Sequence, residues 1–227
     1  MQKIIFKRYM YILNIETSTK NCSVALAKEG NPIIIKEIAE QNFSHSEKLH
    51  LFIDEVLKQA GISYKELAAI ALSKGPGSYT GLRIGASTAK GLCFALDIPL
   101  IALDSLQILA LQVTHQGGLI IPMIDARRME VYTATFDSNH NKISDTQALI
   151  IDENSFSQIT QKTYFIGDGA EKCKPFLQRE NLIFLDQIIY PSAKEMSLLS
   201  FEKFVAQEFE NIAYFEPFYL KEFFTGK

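Results

Sequence analysis

The stretch Ser73-Lys-Gly-Pro-Gly-Ser-Tyr-Thr-Gly-Leu-Arg-Ile-Gly85 connects an apolar run of strand length, residues 68–73, to a helix-length segment rich in small residues, residues 82–96. A glycine-dense loop between a strand and a helix allows the backbone to approach a phosphate or another chain closely. The loop lacks the Gly-Lys-Ser/Thr ending of a P-loop and the spacing of a dinucleotide fingerprint. The alternative interpretation is a tight strand-to-helix turn that begins with an N-cap residue.

Predicted strands and helices follow the same order in the two halves of the chain. In the first half, strands are predicted at residues 11–16, 22–27, 33–38, 68–73 and 100–103, and helices at residues 44–60, 82–96 and 105–113. In the second half, after Gly117-Gly118, strands are predicted at residues 119–124, 130–136, 147–151, 163–166 and 182–185, and helices at residues 155–161, 170–178 and 193–209. This order predicts an α/β fold of two lobes, each a mixed sheet flanked by helices.

Length and composition fit a folded protein of this kind. The chain has 227 residues, of which 47% are hydrophobic, so it can bury a substantial core. We place the N-terminal lobe at residues 1–113 and the C-terminal lobe at residues 114–227, with the C-terminal tail packing back on the first lobe. Residues 1–9 precede the first strand pattern and are interpreted as an extension or a start-site artefact. No apolar run reaches the roughly 18 residues of a membrane-spanning helix, so we expect no membrane association.

Charge and cysteine content narrow the functional classes. A formal net charge of −3 argues against broad, non-specific binding of nucleic acid by this chain alone. The three cysteines, Cys22, Cys93 and Cys173, are widely spaced. Such a pattern favours reduced thiols in the cytoplasm over a disulfide framework or a metal site. Because no Ser/His/Asp order, Cys–His pair or nucleophile-elbow pattern is recognisable, nothing indicates hydrolytic or covalent catalysis.

Glu16 lies where the first predicted strand enters a turn rich in hydroxyl side chains. A carboxylate at this place would hold a cation or a water molecule, with Thr17, Ser18 and Thr19 directed toward a phosphate. The alternative is a hairpin turn whose hydroxyl groups bond to their own backbone. Both interpretations stay open at the level of sequence.

Asp125-Ala-Arg-Arg-Met-Glu-Val-Tyr132 places four charges between two predicted strands of the second lobe. In a functional interpretation, Asp125 and Arg128 line a cleft between the lobes. Alternatively, Asp125 and Arg127 form an exposed ion pair within a turn, which would contribute less than about 1 kcal/mol.

Several segments of the chain match one known protein family. The matching segments are Ile12-Leu-Asn-Ile-Glu-Thr-Ser-Thr19, Cys22-Ser-Val-Ala-Leu26, His45-Ser-Glu47, Gly75-Pro-Gly-Ser-Tyr-Thr-Gly-Leu-Arg-Ile-Gly85, Ala89-Lys-Gly91, Asp125-Ala-Arg127 and Glu130-Val-Tyr132. Together they resemble the TsaB (YeaZ) family, and the resemblance runs from about residue 11 to about residue 220. The glycine loop is its most specific part.

The resemblance implies two actin-like (sugar-kinase-like, RNase-H-like) lobes and a non-catalytic role. It implies a scaffold or activator that pairs with a TsaD-type catalytic subunit and assembles with a TsaE-type ATPase. The TsaD-type subunit transfers a threonylcarbamoyl group to the adenosine beside the anticodon of tRNAs that read codons starting with A. By the same resemblance, the chain forms a homodimer when alone and contacts tRNA only through the complex. The resemblance implies no cofactor for the chain itself, and it leaves open whether ATP or ADP binds at the interface of the complex.

The resemblance assigns partner binding to the first two helices, residues 44–60 and 82–96. The predicted partner-binding residues are Ser44, His45, Glu47, Leu49, Gly81, Leu82, Arg83, Gly85, Ser87, Ala89 and Leu92. The predicted nucleotide-binding residues are Glu16, Thr17, Ser18, Thr19, Gly75, Gly77, Ser78, Thr80 and Asp125. No catalytic residue and no metal ligand is predicted. Gly85→Arg and Leu92→Glu are expected to abolish pairing without unfolding the lobe. The alternative is that either site belongs to the core, in which case the variant misfolds.

Two departures from the family pattern bear on the chemistry. Glu16 stands where many relatives have Asp, and the additional methylene group alters any cation geometry. The chain also lacks the His-x-x-x-His helix with which the catalytic relative holds its metal, because only His45 has a counterpart and His50 is five positions away. These departures favour a scaffold over two alternatives. One is an actin-fold ATP-dependent kinase or ATPase that uses Glu16 and the glycine loop, and the other is a metallopeptidase of the glycoprotease type.

Overall fold

The computed structural model describes residues 10–39, 45–114 and 117–221. Ser44, which was predicted to begin a helix and to contact a partner, lies outside the described residues. The predicted extension at residues 1–9 also lies outside them.

Two five-stranded sheets form the framework of the protein. The first sheet contains β1 Tyr11–Glu16, β2 Asn21–Lys28, β3 Asn31–Ala39, β4 Leu67–Ser73 and β5 Leu100–Leu103. The second contains β6 Leu119–Asp125, β7 Glu130–Thr133, β8 Gln147–Ile150, β9 Thr163–Ile166 and β10 Leu182–Phe184. The α-helices are α1 His45–Ala60, α2 Tyr79–Leu96, α3 Ser105–Ala110 and α4 Met196–Val205, and short 3₁₀ turns lie at Tyr64–Glu66 and Glu171–Cys173.

Both sheets have the same strand order and the same strand directions. The first is ordered β3-β2-β1-β4-β5, and the second, taken from its β8 edge, is ordered β8-β7-β6-β9-β10. In each sheet the first three strands form an antiparallel meander, and the last two run parallel to the first. This repeated topology confirms the predicted fold class of two α/β lobes, each built on a mixed sheet.

Helices α1 and α2 cover one face of the first sheet. Apolar residues of α1 at helical spacing, such as Leu49 and Ile53, are buried in the core of this lobe. Helix α2 begins at Tyr79, earlier than predicted, because the Ser78 hydroxyl accepts a hydrogen bond from the Gly81 amide (3.3 Å) and caps the helix.

Helices α3 and α4 each pack against the sheet from the other half of the sequence. Leu106 of α3 lies in a core with Ile120 of the second sheet. Met196 of α4 lies in a core with Ile12 and Ile101, on the face of the first sheet opposite to α1 and α2. The boundary at residues 113 and 114 stays a prediction, since these two helices connect the halves across it.

The C-terminal tail, residues 210–221, runs over the first lobe. Phe215 is only 8% exposed and belongs to the core beneath α1 and α2. The Phe218 amide donates to the Lys74 carbonyl (2.7 Å) beside the glycine loop. Farther along, Lys221 forms an ion pair with Glu130 of the second lobe. The tail therefore touches both lobes.

The predicted helix at residues 155–161 is wrong. Phe156 has a left-handed backbone (φ 58°), and the segment forms successive turns. The Arg179 guanidinium donates to the carbonyls of Ser155, Phe156 and Ile159. A helix would use the first two of these carbonyls for its own amides.

Other predicted helices in the chain are shorter than expected. Of the helix predicted at residues 170–178, the structure keeps only the 3₁₀ turn Glu171–Cys173. Helix α3 ends at Ala110, and α4 covers only the middle of the predicted residues 193–209.

Candidate functional site

The glycine loop packs directly onto the turn between β1 and β2, residues 17–20. The Ser78 amide donates to the Ser18 carbonyl (2.7 Å). The Thr17 hydroxyl donates to the Gly81 carbonyl (2.9 Å). The β1–β2 turn and the first turn of α2 are thus joined by hydrogen bonds in both directions.

This contact requires glycine in α2 and in the loop before it. A Cβ at Gly77 would lie 2.2 Å from the Ser18 carbonyl oxygen, and one at Gly81 would lie 2.1 Å from the Thr17 carbonyl oxygen. Gly85 belongs to the same inner side of α2, where a Cβ would lie 2.3 Å from Thr17 Oγ1. The expectation that Gly85→Arg leaves the lobe folded is therefore corrected, because the larger side chain would push α2 off the β1–β2 turn.

Backbone groups of the β1–β2 turn are bonded within the protein. The Ser18 amide donates to Glu16 Oε1 (2.5 Å), and the Asn21 amide donates to Thr19 Oγ1 (3.4 Å). His45 Nε2 donates to the Thr19 carbonyl (2.7 Å). A turn that binds phosphate directs its amides toward the ligand, whereas these two amides are already engaged. The hydroxyl side chains of the turn are buried as well.

Glu16 is fully buried at the end of β1. Oε2 of its carboxyl group has no hydrogen-bond partner among the described residues. Burial raises the pKa of Glu16 to about 7, although hydrogen bonds with Ser18 and Ser73 act in the opposite direction. The carboxyl group therefore changes its charge near neutral pH and can take up or release a proton inside the lobe.

A cleft of about 280 Å³ lies between the β1–β2 turn and the second lobe. Lys20 lines it from the first lobe, and Asp125, Asp168 and Tyr190 line it from the second. The Asp125 amide donates to Asp168 Oδ1 (2.9 Å), and burial raises the pKa of Asp168 to about 6. The carboxyl groups that line the cleft disfavour a phosphate group and favour a cationic one.

The structure separates the predicted nucleotide-binding residues. Gly77 and Ser78 contact the β1–β2 turn, whereas Thr80 is exposed on α2. Gly75 is buried against the tail, where a Cβ would lie 2.8 Å from the Phe218 carbonyl oxygen. Asp125 lies in the second lobe, so the nine residues do not line a single cavity. Their nucleotide-binding role stays a prediction.

The predicted partner-binding residues fall on two sides of α1 and α2. Those on the outer side are Glu47, Arg83 and Ser87, which are exposed, and Leu92, which is half-buried against the core. Those on the inner side are buried: His45, Leu49, Gly81, Leu82, Gly85 and Ala89. Direct contact with a partner is therefore a prediction for the outer residues, while the inner ones hold the helices on the sheet.

Within residues 10–39, 45–114 and 117–221, no three His, Cys, Asp or Glu side chains are grouped so that they could hold a metal ion. In the same ranges, no helix is both long and apolar enough to cross a membrane.

Three residues of the candidate surfaces were missed by sequence reasoning. Lys172 donates to the carbonyls of Arg128 and Glu130 (2.7 and 2.8 Å) and pairs with Asp125. Because Lys172 is far from these residues in the sequence, no local pattern indicates the contact. Asp168 was detectable, because it lies between two glycines directly after a predicted strand. Phe94 is 85% exposed on α2, and its spacing from Ser87 would have placed it on the outer side.

Comparison with known proteins agrees with this architecture. A family model described as TsaD, tRNA N6-adenosine threonylcarbamoyltransferase, matches residues 34–222. The chain is 31% identical to the tRNA threonylcarbamoyladenosine biosynthesis protein TsaB of Haemophilus influenzae, over 95% of each chain. It is 28% identical to the protein of the same description from Escherichia coli, over 93% of this chain and 95% of that one.

A solved structure of a relative has the same fold as this chain. YeaZ from Pseudomonas aeruginosa is similar to this chain with a TM-score of 0.80 and 27% identity, over 93% of this chain and all of that one. The resemblance inferred from the sequence motifs is confirmed. Since the family model matches most of the chain and a full-length relative exceeds 30% identity, the chain belongs to the TsaB (YeaZ) family, within the wider group that the TsaD model describes.

Proposed function

We propose that this chain is a non-catalytic subunit in the biosynthesis of threonylcarbamoyladenosine on tRNA, and that it acts by pairing with a TsaD-type catalytic subunit. Its relatives are named for that pathway. The observation that carries the non-catalytic role is the contact between the glycine loop and the β1–β2 turn. The Ser78 amide and the Gly81 carbonyl bond to this turn, so the loop serves the internal structure of the lobe.

The outer face of α2 is the proposed pairing surface. Thr80, Arg83, Ser87, Gly91 and Phe94 are exposed and recur every three or four residues, which places them on one side of the helix. Small side chains in the middle of this face allow a partner helix to approach closely, and Phe94 supplies an apolar anchor.

Neighbouring α1 extends the same surface. His45 at its first turn lies next to Gly81 near the start of α2, so the two helices begin side by side. Leu51 of α1 is 54% exposed and would add apolar contact area. In the absence of the catalytic subunit, a second copy of this chain would occupy the surface and form a homodimer.

The remaining features of the proposal concern the assembly. The complex includes a TsaE-type ATPase, works in the cytoplasm and takes up ATP or ADP at a subunit interface. This chain supplies no resident cofactor. The TsaD-type subunit carries the transfer to the adenosine beside the anticodon of tRNAs that read codons starting with A.

Reconstitution of the modification tests the proposal. A purified TsaD-type subunit and a TsaE-type ATPase would be incubated with tRNA and a threonylcarbamoyl donor, with and without this chain, and the nucleosides analysed by mass spectrometry. We expect modified adenosine only when this chain is present. Modification at an equal rate without the chain, or rapid ATP turnover by the chain alone, would contradict the proposal. The second outcome would favour the kinase or ATPase alternative.

A further inference from the structure

Two consecutive arginines form the tip of the β6–β7 hairpin in an uncommon backbone conformation. Arg127 and Arg128 have φ values of 70° and 51°, and both are exposed. This left-handed region is unfavourable for residues with a Cβ, and glycine or asparagine is the usual occupant. Glycine or asparagine at these two positions would therefore stabilise the fold more than arginine does. The presence of two arginines in this conformation suggests a function for their guanidinium groups.

The hairpin tip is held in place by a network beneath it. The Arg127 amide donates to Asp125 Oδ1 (3.0 Å). Lys172 Nζ donates to the carbonyls of Arg128 (2.7 Å) and Glu130 (2.8 Å) and pairs with Asp125. Because the backbone is fixed from the inside, the two guanidinium groups are presented to solvent from a defined position, which reduces the entropy lost on binding.

Charges around the tip leave an excess of cations at the surface. Most of the nearby carboxylates are paired with lysines: Asp125 with Lys172, Glu130 with Lys221, and both Glu171 and Asp186 with Lys174. In the described part of the chain, no carboxylate forms an ion pair with Lys20, Arg127 or Arg128. Lys20 lines the same cleft as Asp125, whose side chain bonds to the Arg127 amide.

The chemistry that fits this arrangement is a phosphate group, since guanidinium groups bind phosphate oxygens in pairs. The cleft is lined by Asp125, Asp168 and Asp186, among others, and these carboxyl groups disfavour a nucleotide phosphate inside it. Arg127 and Arg128 are exposed at the hairpin tip and are not among the residues that line the cleft, so a strand of phosphodiesters can bind their guanidinium groups without entering it. We propose that Lys20, Arg127 and Arg128 bind the phosphodiester backbone of RNA, so that this chain contacts tRNA directly. This inference rests on the proposed function.

The test measures tRNA binding by the complex of this chain with the TsaD-type subunit, by fluorescence anisotropy at several salt concentrations. Arg127→Asn and Arg128→Asn should each weaken binding and lower the slope of log affinity against log salt by about 1. Asparagine tolerates the left-handed backbone, so the melting temperature of each variant should equal or exceed that of the wild type. Lys162→Gln is the matched control, because it removes one exposed charge just before β9, at the opposite end of the second sheet, and should change neither slope nor affinity.

Several outcomes would overturn the inference, and they differ from a failure of the proposed function. Unchanged slopes and affinities for both arginine variants, or no tRNA binding by the wild-type complex, would exclude the RNA contact. Competition of ATP or inorganic phosphate with tRNA that disappears in the arginine variants would instead indicate a site for a free phosphate compound. The proposed function fails separately, if the wild-type chain does not support modification in the reconstituted reaction.

Discussion

Thr17 and Gly81 are in contact through both side chain and backbone. The Thr17 hydroxyl donates to the Gly81 carbonyl over 2.9 Å, and a Cβ at Gly81 would lie 2.1 Å from the Thr17 carbonyl oxygen. The contact joins residues that are 64 positions apart in the sequence. It fixes the start of α2, and with it the proposed pairing surface, on the β1–β2 turn.

Gly81→Ala should destabilise the protein by about 3 kcal/mol or more, because the added methyl group overlaps the Thr17 backbone and α2 has to move. Chemical denaturation monitored by circular dichroism would measure the change. Gly91→Ala is the control, since Gly91 is exposed in the same helix with no atom within 4 Å of its Cβ position. That substitution should stabilise the protein by about 1 kcal/mol. If both substitutions changed the free energy of unfolding equally, helix propensity and not the contact with Thr17 would determine the effect at Gly81.

Glu16→Gln should change the pH dependence of stability. The pKa of Glu16 is raised from its ordinary value of 4.5 to about 7 in the folded protein. Between these values the folded state binds more protons than the unfolded state. The unfolding free energy of the wild type therefore falls as pH rises from about 4.5 to about 7, and then this contribution stays constant.

The glutamine variant lacks this titration, so the difference between the two stability curves isolates it from other groups. We take the free energy of unfolding of the variant minus that of the wild type. This difference should be larger above pH 7 than at pH 4.5, by on the order of 3 kcal/mol. Urea titrations at a series of pH values would measure both curves. Parallel curves over the whole range would mean that the Glu16 carboxyl group titrates as an ordinary exposed acid.

Phe94→Arg should weaken pairing with the TsaD-type subunit by at least about tenfold, because an exposed aromatic anchor of the proposed surface is replaced by a charge. Since Phe94 is 85% exposed, the melting temperature should barely change. Isothermal titration calorimetry would measure the affinity. Leu198→Arg on α4 is the matched control, because Leu198 is also an exposed helix residue (61%) and lies outside the proposed surface. If both variants, or neither, lost affinity, α2 would not be the pairing helix.

Phe215→Ala and Tyr214→Ala separate the structural role of the tail from its exposed surface. Phe215 is buried in the first core, and its truncation should cost about 3 kcal/mol. The neighbouring Tyr214 is 85% exposed, so its truncation should change stability by less than about 0.5 kcal/mol. Thermal unfolding of the two variants would measure the difference. A small effect at Phe215 would indicate that the tail contributes little to the stability of the lobe.

Features that depend on neighbouring residues were predictable from the sequence. The apolar spacing of Leu49 and Ile53 defined α1, and the polar turn after Glu16 defined the first hairpin. Because the pattern of strands and helices repeats, the two-lobed fold followed as well. These features arise from local periodicity and turn chemistry.

Features that depend on distant residues were not predictable in this way. The segment at residues 155–161 was predicted as a helix, but Arg179 binds its carbonyls. Burial of the hydroxyl side chains of the β1–β2 turn results from contact with α2, whose start lies far along the chain. Lys172 reaches the β6–β7 hairpin across a similar separation. No single segment carries the information for these contacts.

The position of α4 has a consequence for synthesis of the protein. Ile12 and Ile101 are synthesised well before Met196, which lies with them in one core. A nascent chain that ends before α4 therefore leaves an apolar surface of the first sheet uncovered. Such a surface is prone to aggregation until α4 has been synthesised and packs against the sheet.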